Sequence, residues 1–310
     1  MSLGSHEHSI TRLFIGATFE KTRVMNPVTI ITDSTACIPQ ELATANDIRV
    51  LPLFLEFEDS IFEDGMGGSA ATFYQALREA KQPPTTAAPA PGVYAEAMLD
   101  AGRNASAVLA ITVSRQFSAM HDAASQGMAL AKQQAPGLDV RVLDSESAAM
   151  AQGFVALEAA RAAQEGSDID DVIRRAEALR PRVQLLVALD TMTYLGRSGR
   201  VPRLLAWVAS PLRVKPVVAF EKGSYRPIGL ARSTAAASDR LFQALKQRRD
   251  GTRLHVAVQH TNAPDEAELL ADLVRGELKP TELFVAEFTQ VMGVHTGPGL
   301  LGFAFYGGQS

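Results

Sequence analysis

Hydroxyls, a carboxylate, guanidinium groups and an imidazole recur in this chain where apolar runs give way to polar residues. Asp33, Ser34 and Thr35 close the run VTIITDST; Ser114 and Ser118 close or follow AVLAITVS; Ser145 ends the run DVRVLDS. The second half carries Arg197, Arg200, Arg203 and Arg232, and His295 stands in HTGPG. Hydroxyls and imidazole can donate hydrogen bonds, and a guanidinium pairs with carboxylate or phosphate. Hydroxyls from one half and cations with an imidazole from the other suit capture of an acidic head group in a cleft between them. A second chemistry is also open: an enzyme acting on a small polar acid, with Asp33 as general base beside Ser34 and His295. Each residue has an ordinary reading too. A serine or aspartate after a strand caps the next helix, and HTGPG makes a glycine-proline turn between two strands. GRSGR, residues 196–200, is either an anion-holding turn or a solvated one.

Other catalytic patterns are missing from the sequence. No two of the six histidines form an i, i+4 pair with a nearby carboxylate, the spacing a zinc hydrolase needs. There is no GxxxxGK[ST] loop, no GxGxxG after the first strand and no GxSxG elbow. Neither a metal nor a cofactor is therefore expected. The single cysteine, Cys37, rules out an internal disulfide and fits a reducing, cytoplasmic setting. The 310 residues are 46% hydrophobic and 21% charged with net charge −4, an ordinary soluble composition with ample core. That balance excludes the clustered basic excess of a nucleic-acid binder. No apolar run approaches the roughly 20 residues of a membrane span.

The polar tips need elements to hold them. Residues 28–34, 107–114 and 139–147 each read as a buried strand with a polar end, and each is followed by a helical pattern. Residues 48–57 read as one further strand region, 63–68 as a glycine-rich turn, and 69–81 as a helix capped by Ser69. QPPTTAAPAPG begins as a loop and becomes helical near Pro91. This alternation predicts an α/β N-terminal domain on a parallel sheet, with its polar tips on the edge where such sheets bind ligands. After Gly166 the order changes. Residues 214–233 read as two antiparallel strands joined at Lys222-Gly223, and 252–260, 282–290 and 299–307 as strands among helices. An α+β domain with an antiparallel or mixed sheet is the result. The expected divisions are a disordered start at 1–26, one domain at 27–163 and the other at 164–310, with the ligand cleft between them.

These stretches, in order, resemble the DegV family of fatty-acid-binding proteins from Val28 to Gly308. ITDSTACIP is similar to its opening signature, and LPLFLEFEDSIFEDG, ITVSRQFSAMHDAA, VLDSESAAMAQG, DTMTYLGRSGR, KPVVAFEKG, ARSTAAA and HTGPGLLGFAFYG follow. The resemblance implies a non-enzymatic protein that holds one long-chain fatty acid between two domains. Similar members serve as the binding subunit of a bacterial fatty acid kinase, whose separate catalytic subunit makes the acyl-phosphate. It also implies roles near the carboxylate for Thr86, Ser114, Ser118, Arg200, Arg232 and His295. Two motifs depart from the family. The loop at 86–90 reads TAAPA, with Ala87, Ala88 and Ala90 at positions that are polar in TSQPS. The turn at 114–120 reads SRQFSAM, with Arg115 at the second serine of SSxLSGT. Phe117, Met120, Met192, Tyr194, Leu195, Trp207 and Met292 are ordinary core or the wall of an apolar tunnel.

Overall fold

The computed structural model describes residues 27–57, 60–64, 69–80, 82–199, 214–221, 224–251 and 253–308. Four β-branched, apolar runs pair side by side as β1 (Val28–Asp33), β2 (Ile48–Leu51), β6 (Ala107–Thr112) and β7 (Asp139–Asp144). They form a parallel sheet in the order β2-β1-β6-β7. A second, mixed sheet runs in the order β10-β9-β8-β13-β11-β12. Its strands are β8 (Gln184–Ala188), β9 (Lys215–Glu221), β10 (Ser224–Ala231), β11 (Arg253–His260), β12 (Glu282–Glu287) and β13 (Leu301–Gly308). Only β11 and β12 run parallel there. The α/β class with a parallel and a mixed sheet is as the sequence predicts.

One helix, Ala149–Gln164, lies between the two sheets and touches β1, β2 and β6 on one side and β8 and β13 on the other. Thirteen of its sixteen residues are buried, so it has no solvent stripe. Alanines make this possible: they favour the helix and let both sheets approach it. Each sheet has an outer helical layer as well. Helices Pro91–Ala101 and Met120–Gln134 cover the parallel sheet through Tyr94, Met98, Val108 and Val140. Helices Thr234–Arg248 and Pro264–Leu278 cover the mixed sheet through Leu241, Leu245, Leu270 and Phe303. Strand alternation assigns the faces. In β8, Leu185 and Val187 look inward with the interior core, while Leu186 and Ala188 look outward to those helices.

Three local expectations are corrected. The region 48–57 is two strands, not one, because the chain turns at Pro52 and Leu53: β2 joins the parallel sheet and β3 (Phe54–Phe57) leaves it. β3 then pairs with β4 (Ser60–Glu63) and β5 (Thr85–Ala87) in a small antiparallel sheet, so the TTA of the expected proline loop is a strand. The strand expected at 282–290 stops at Glu287, and Gln290–Thr296 is a helix. HTGPG is thus a helix end followed by a turn. His295 and Thr296 are the last helical residues, and Gly297 follows with φ 74°. The start at 1–26, the Lys222-Gly223 link, Arg203 and Trp207 lie outside the described residues, although Glu221 and Ser224 do pair across the link.

Enlarging the central helix should cost stability on both sides at once. Ala156→Leu, at a residue with 0% exposure, is expected to lower unfolding free energy by about 1–3 kcal/mol. Urea denaturation measures this; an unchanged midpoint would mean that the gap between the sheets is not tightly filled.

Candidate functional site

The sheet order puts a crevice at the C-terminal ends of β1 and β6. From β1 the chain proceeds to β2 on one flank and only later places β6 on the other, and such a reversal leaves an opening there. Beside it begins the helix Ala149–Gln164, after Ala148. A cavity of about 160 Å³ occupies this space between the sheets. Its wall on the parallel-sheet side includes Thr35, Val113, Phe117, Met120 and Ala148; β8 and β9 supply Leu185, Val187, Val218 and Phe220. The lining is overwhelmingly apolar, and Phe117 meets Phe220 across the gap with ring centroids 4.7 Å apart. Four of the apolar residues noticed in the sequence, Phe117, Met120, Leu195 and Met292, line it, and Tyr194 lines the neighbouring space.

Polar groups gather at one end. Thr86, on β5, and His295, in the last turn of Gln290–Thr296, meet with Oγ1 and Nε2 3.1 Å apart. Both line the apolar cavity, and both also line a second, more polar space of about 280 Å³ that Arg197, Ser198, Thr85 and Tyr194 complete. The pair therefore stands where an apolar chamber opens into a polar vestibule. Ser118 and Thr296 add hydroxyls to the chamber wall. Tight packing holds His295 in place. Gly293 lies so close to the Tyr74 hydroxyl that a Cβ there would overlap it, and a Cβ at Gly297 would meet the Tyr194 ring. Asp64 Oδ1 accepts from the Val291 N–H at 3.0 Å and anchors the start of the same helix.

The remaining residues singled out in the sequence divide clearly. Asp33 is buried, and its carboxyl ties the ends of β1 and β6 together. Oδ1 accepts from the Thr35 N–H at 3.0 Å and contacts the Thr35 hydroxyl; Oδ2 accepts from the Val113 N–H at 3.1 Å and Gln152 Nε2 at 3.0 Å. Burial pushes this carboxyl up to about 6, against those hydrogen bonds, which lower it. Ser34 Oγ accepts from the Leu53 N–H at 3.2 Å. Thr35 lines the cavity. Ser114 is buried outside the cavity lining; its Oγ accepts from the Gln116 N–H at 3.3 Å and shapes the turn. Arg232 is exposed beyond the end of β10 and lines neither space. Arg115, at the altered serine position, pairs with Asp144 at 3.1 Å, facing away from the cavity lining. Arg200 lies outside the described residues.

Sequence reading missed the wall that β8 and β9 contribute. The period-two spacing of Leu185, Val187 and Leu189 carried the signal, but inward alternation in a buried strand looks the same whether it faces core or cavity. No group of three or more metal-ligating side chains occurs among the described residues, and no helix among them is long and apolar enough to cross a membrane.

A narrow apolar chamber with polar groups at one end has the shape and chemistry that suit a molecule with an apolar body and a small polar head. The chain belongs to the DegV family, whose sequence pattern, described as that of an uncharacterised protein family, matches residues 27–307. A DegV domain-containing protein of Streptomyces coelicolor is 36% identical over 277 residues, covering 89% of this chain and 96% of its own. Protein DegV of Bacillus subtilis is 29% identical over 280 residues, covering 90% and 98%. Among solved structures, a fatty-acid-binding DegV family protein from Thermus thermophilus superposes with a TM-score of 0.83 at 28% identity, over 90% of this chain and 99% of that one. The structure of DegV from Bacillus subtilis, a fatty acid binding protein, gives 0.80 at 29% identity over 91% and 99%.

Two outcomes follow from this geometry. Gly293→Ala should push the helix that carries His295 away from Tyr74, lowering both thermal stability and ligand affinity; an unchanged melting temperature would show that Tyr74 yields freely. Asp33 supplies a pH signature. Its folded value of about 6 exceeds the ~3.9 of an unfolded aspartate. Between these values the folded protein keeps a proton that the unfolded chain has released. The stabilisation is complete below about pH 4 and lost as pH rises through about 6. The melting temperature of the protein relative to Asp33→Asn should therefore climb on acidification across this window, and a flat difference would mean that the carboxyl titrates normally.

Proposed function

We propose that this protein binds one long-chain fatty acid, with the acyl chain in the cavity between the sheets and the carboxylate at the Thr86–His295 pair. The observation that carries this reading is the meeting of an apolar chamber and a polar vestibule at those two side chains. Each buried methylene contributes about 0.8 kcal/mol, so a long chain supplies the affinity. A carboxylate in the same place is costly without donors, and the Thr86 hydroxyl and a protonated nitrogen of His295 can donate to it. Ser118 adds a hydroxyl on the chamber wall. Arg197 in the vestibule adds positive charge outside the donor pair, and the family resemblance implies a role near the carboxylate for Arg200 as well. The fatty-acid-binding relatives support the ligand class.

In this reading the parts at 27–163 and 164–310 act as two domains that share the ligand, in a cytoplasmic carrier without catalytic residues of its own. A vestibule open to the head group suits presentation to a separate kinase subunit, which would supply nucleotide and metal and phosphorylate the carboxylate. The alternative enzyme of Asp33, Ser34 and His295 is less well supported: Asp33 and Ser34 are engaged in holding strand ends.

Mass spectrometry of organic extracts from the folded protein should find a long-chain fatty acid in about one copy per chain. Recovery of none, together with no binding of added fatty acid, would sink the reading. His295→Ala should weaken binding about 10–100-fold, the loss of one hydrogen bond to a charged group, with the melting temperature of the ligand-free protein little changed. Equal affinity in that variant would return His295 to a purely structural role.

A further inference from the structure

Behind the cavity wall, the hydrogens shared by Asp33, Thr35 and Gln152 can be counted. Asp33 Oδ1 faces the N–H and Oγ1 of Thr35, and Oδ2 faces the Val113 N–H and Gln152 Nε2. The second amide hydrogen of Gln152 goes to Thr32 Oγ1 at 3.1 Å, whose own hydrogen goes to the Ile111 carbonyl at 2.9 Å. Gln152 Oε1 then lies 3.2 Å from Thr35 Oγ1. A threonine hydroxyl has a single hydrogen. With Asp33 ionised, that hydrogen is needed between Thr35 and Asp33, and the contact between Oγ1 and Oε1 has none. Turning the amide over moves the fault without removing it. Gln152 Oε1 would then face Asp33 Oδ2 at 3.0 Å, again with no hydrogen between the oxygens. Such a contact is unfavourable where water cannot relieve it. One proton on Asp33 repairs the first arrangement completely: Asp33 donates to Thr35 and Thr35 to Gln152. In the second, Asp33 would donate to Gln152, but Oε1 would still face Thr32 Oγ1 at 3.1 Å, whose hydrogen goes to Ile111, so the first arrangement is the satisfied one.

Among the described residues no nearby cation takes the place of that proton. The hydrogen-bond partners of Asp33 among the described residues are Thr35, Val113 and Gln152, all neutral. The titratable side chains that feel its charge are Cys37, from its own loop, and Tyr94, from the outer helix Pro91–Ala101; burial pushes both up, so both are neutral at neutral pH. The central helix presents Gln152, and the end of β6 presents the backbone of Val113.

We infer that Asp33 is a proton-binding site coupled to the cavity, so that a fatty acid is taken up together with a proton from solvent that settles on this carboxyl. Thr35 makes the coupling, because it contacts Asp33 and also lines the cavity. The carboxylate of a bound fatty acid brings a negative charge into the cavity that Thr35 lines, and this opposes an ionised Asp33 behind it. By linkage, the neutral carboxyl favours the ligand to the same degree. The identity of the ligand rests on the function proposed above; the missing hydrogen does not.

Two measurements test this. Carbon-13 NMR of aspartate-labelled, ligand-free wild type should show a protonated carboxyl at about pH 5.5, well above the ~3.9 of an ordinary aspartate, and sodium palmitate should strengthen that signal. A protein whose aspartates are all ionised at this pH overturns the inference, and this reading needs no variant to fold. Calorimetry of palmitate binding near pH 6.5, in buffers of different ionisation heat, should show net uptake of up to about one proton per ligand. Uptake should persist in His295→Gln and vanish in Asp33→Asn. Binding without uptake, or equal uptake in Asp33→Asn, overturns the coupling. No binding at all would remove the fatty-acid reading and the coupling with it, while the NMR titration still decides the state of Asp33.

Discussion

Two sheets can share one buried helix only if that helix lets both approach it. Ala149–Gln164 meets the demand with alanines at seven of its thirteen buried positions, and the rest of the architecture follows from the spacing it sets. The sheets lie one helix apart. Their outer faces need helices of their own, which the chain supplies in pairs. Bulk on the central helix would part both sheets, whereas bulk on an outer helix has solvent on its far side.

The same spacing accounts for the cavity. The helix fills the gap along its own length, but the gap continues past Ala148, where no helix remains to fill it. Aliphatic and aromatic side chains from β8, β9 and the turn after β6 face that space and leave it dry in character. Polarity enters from two directions. Thr86 and His295 stand at the opening, where a charged group keeps access to the vestibule. Asp33 stands behind the wall, where its carboxyl holds β1 to β6 and where ionisation is disfavoured by burial. One polar set faces the opening; the other holds the crevice in shape.

Much of this was legible in the residues. The β-branched runs ending in Asp33, Ser114 and Asp144 specified a parallel sheet and its ligand-binding edge, because strand period and polar tips depend on local sequence. The helix Gln290–Thr296 was not legible: VMGVH is short and carries two β-branched valines, and its helix is held by tertiary contacts, among them Gly293 against Tyr74 and the buried Val291 and Val294. β5 was obscured by its prolines, since a three-residue edge strand has little pattern to display. The Thr86–His295 pair was half visible. His295 could be singled out, and the resemblance pointed to Thr86, but their contact is tertiary. Arg232 and Ser114 show the converse, residues of suitable chemistry whose backbone directs them elsewhere.

Thr86 and His295 are 209 positions apart in the chain. No fragment that ends before residue 295 can contain the pair, and closing so long a loop depends on the sheets between its ends being in place. The Thr86–His295 contact therefore needs most of the chain to be in place before it can form. A ligand that binds there stabilises only the finished protein, by mass action.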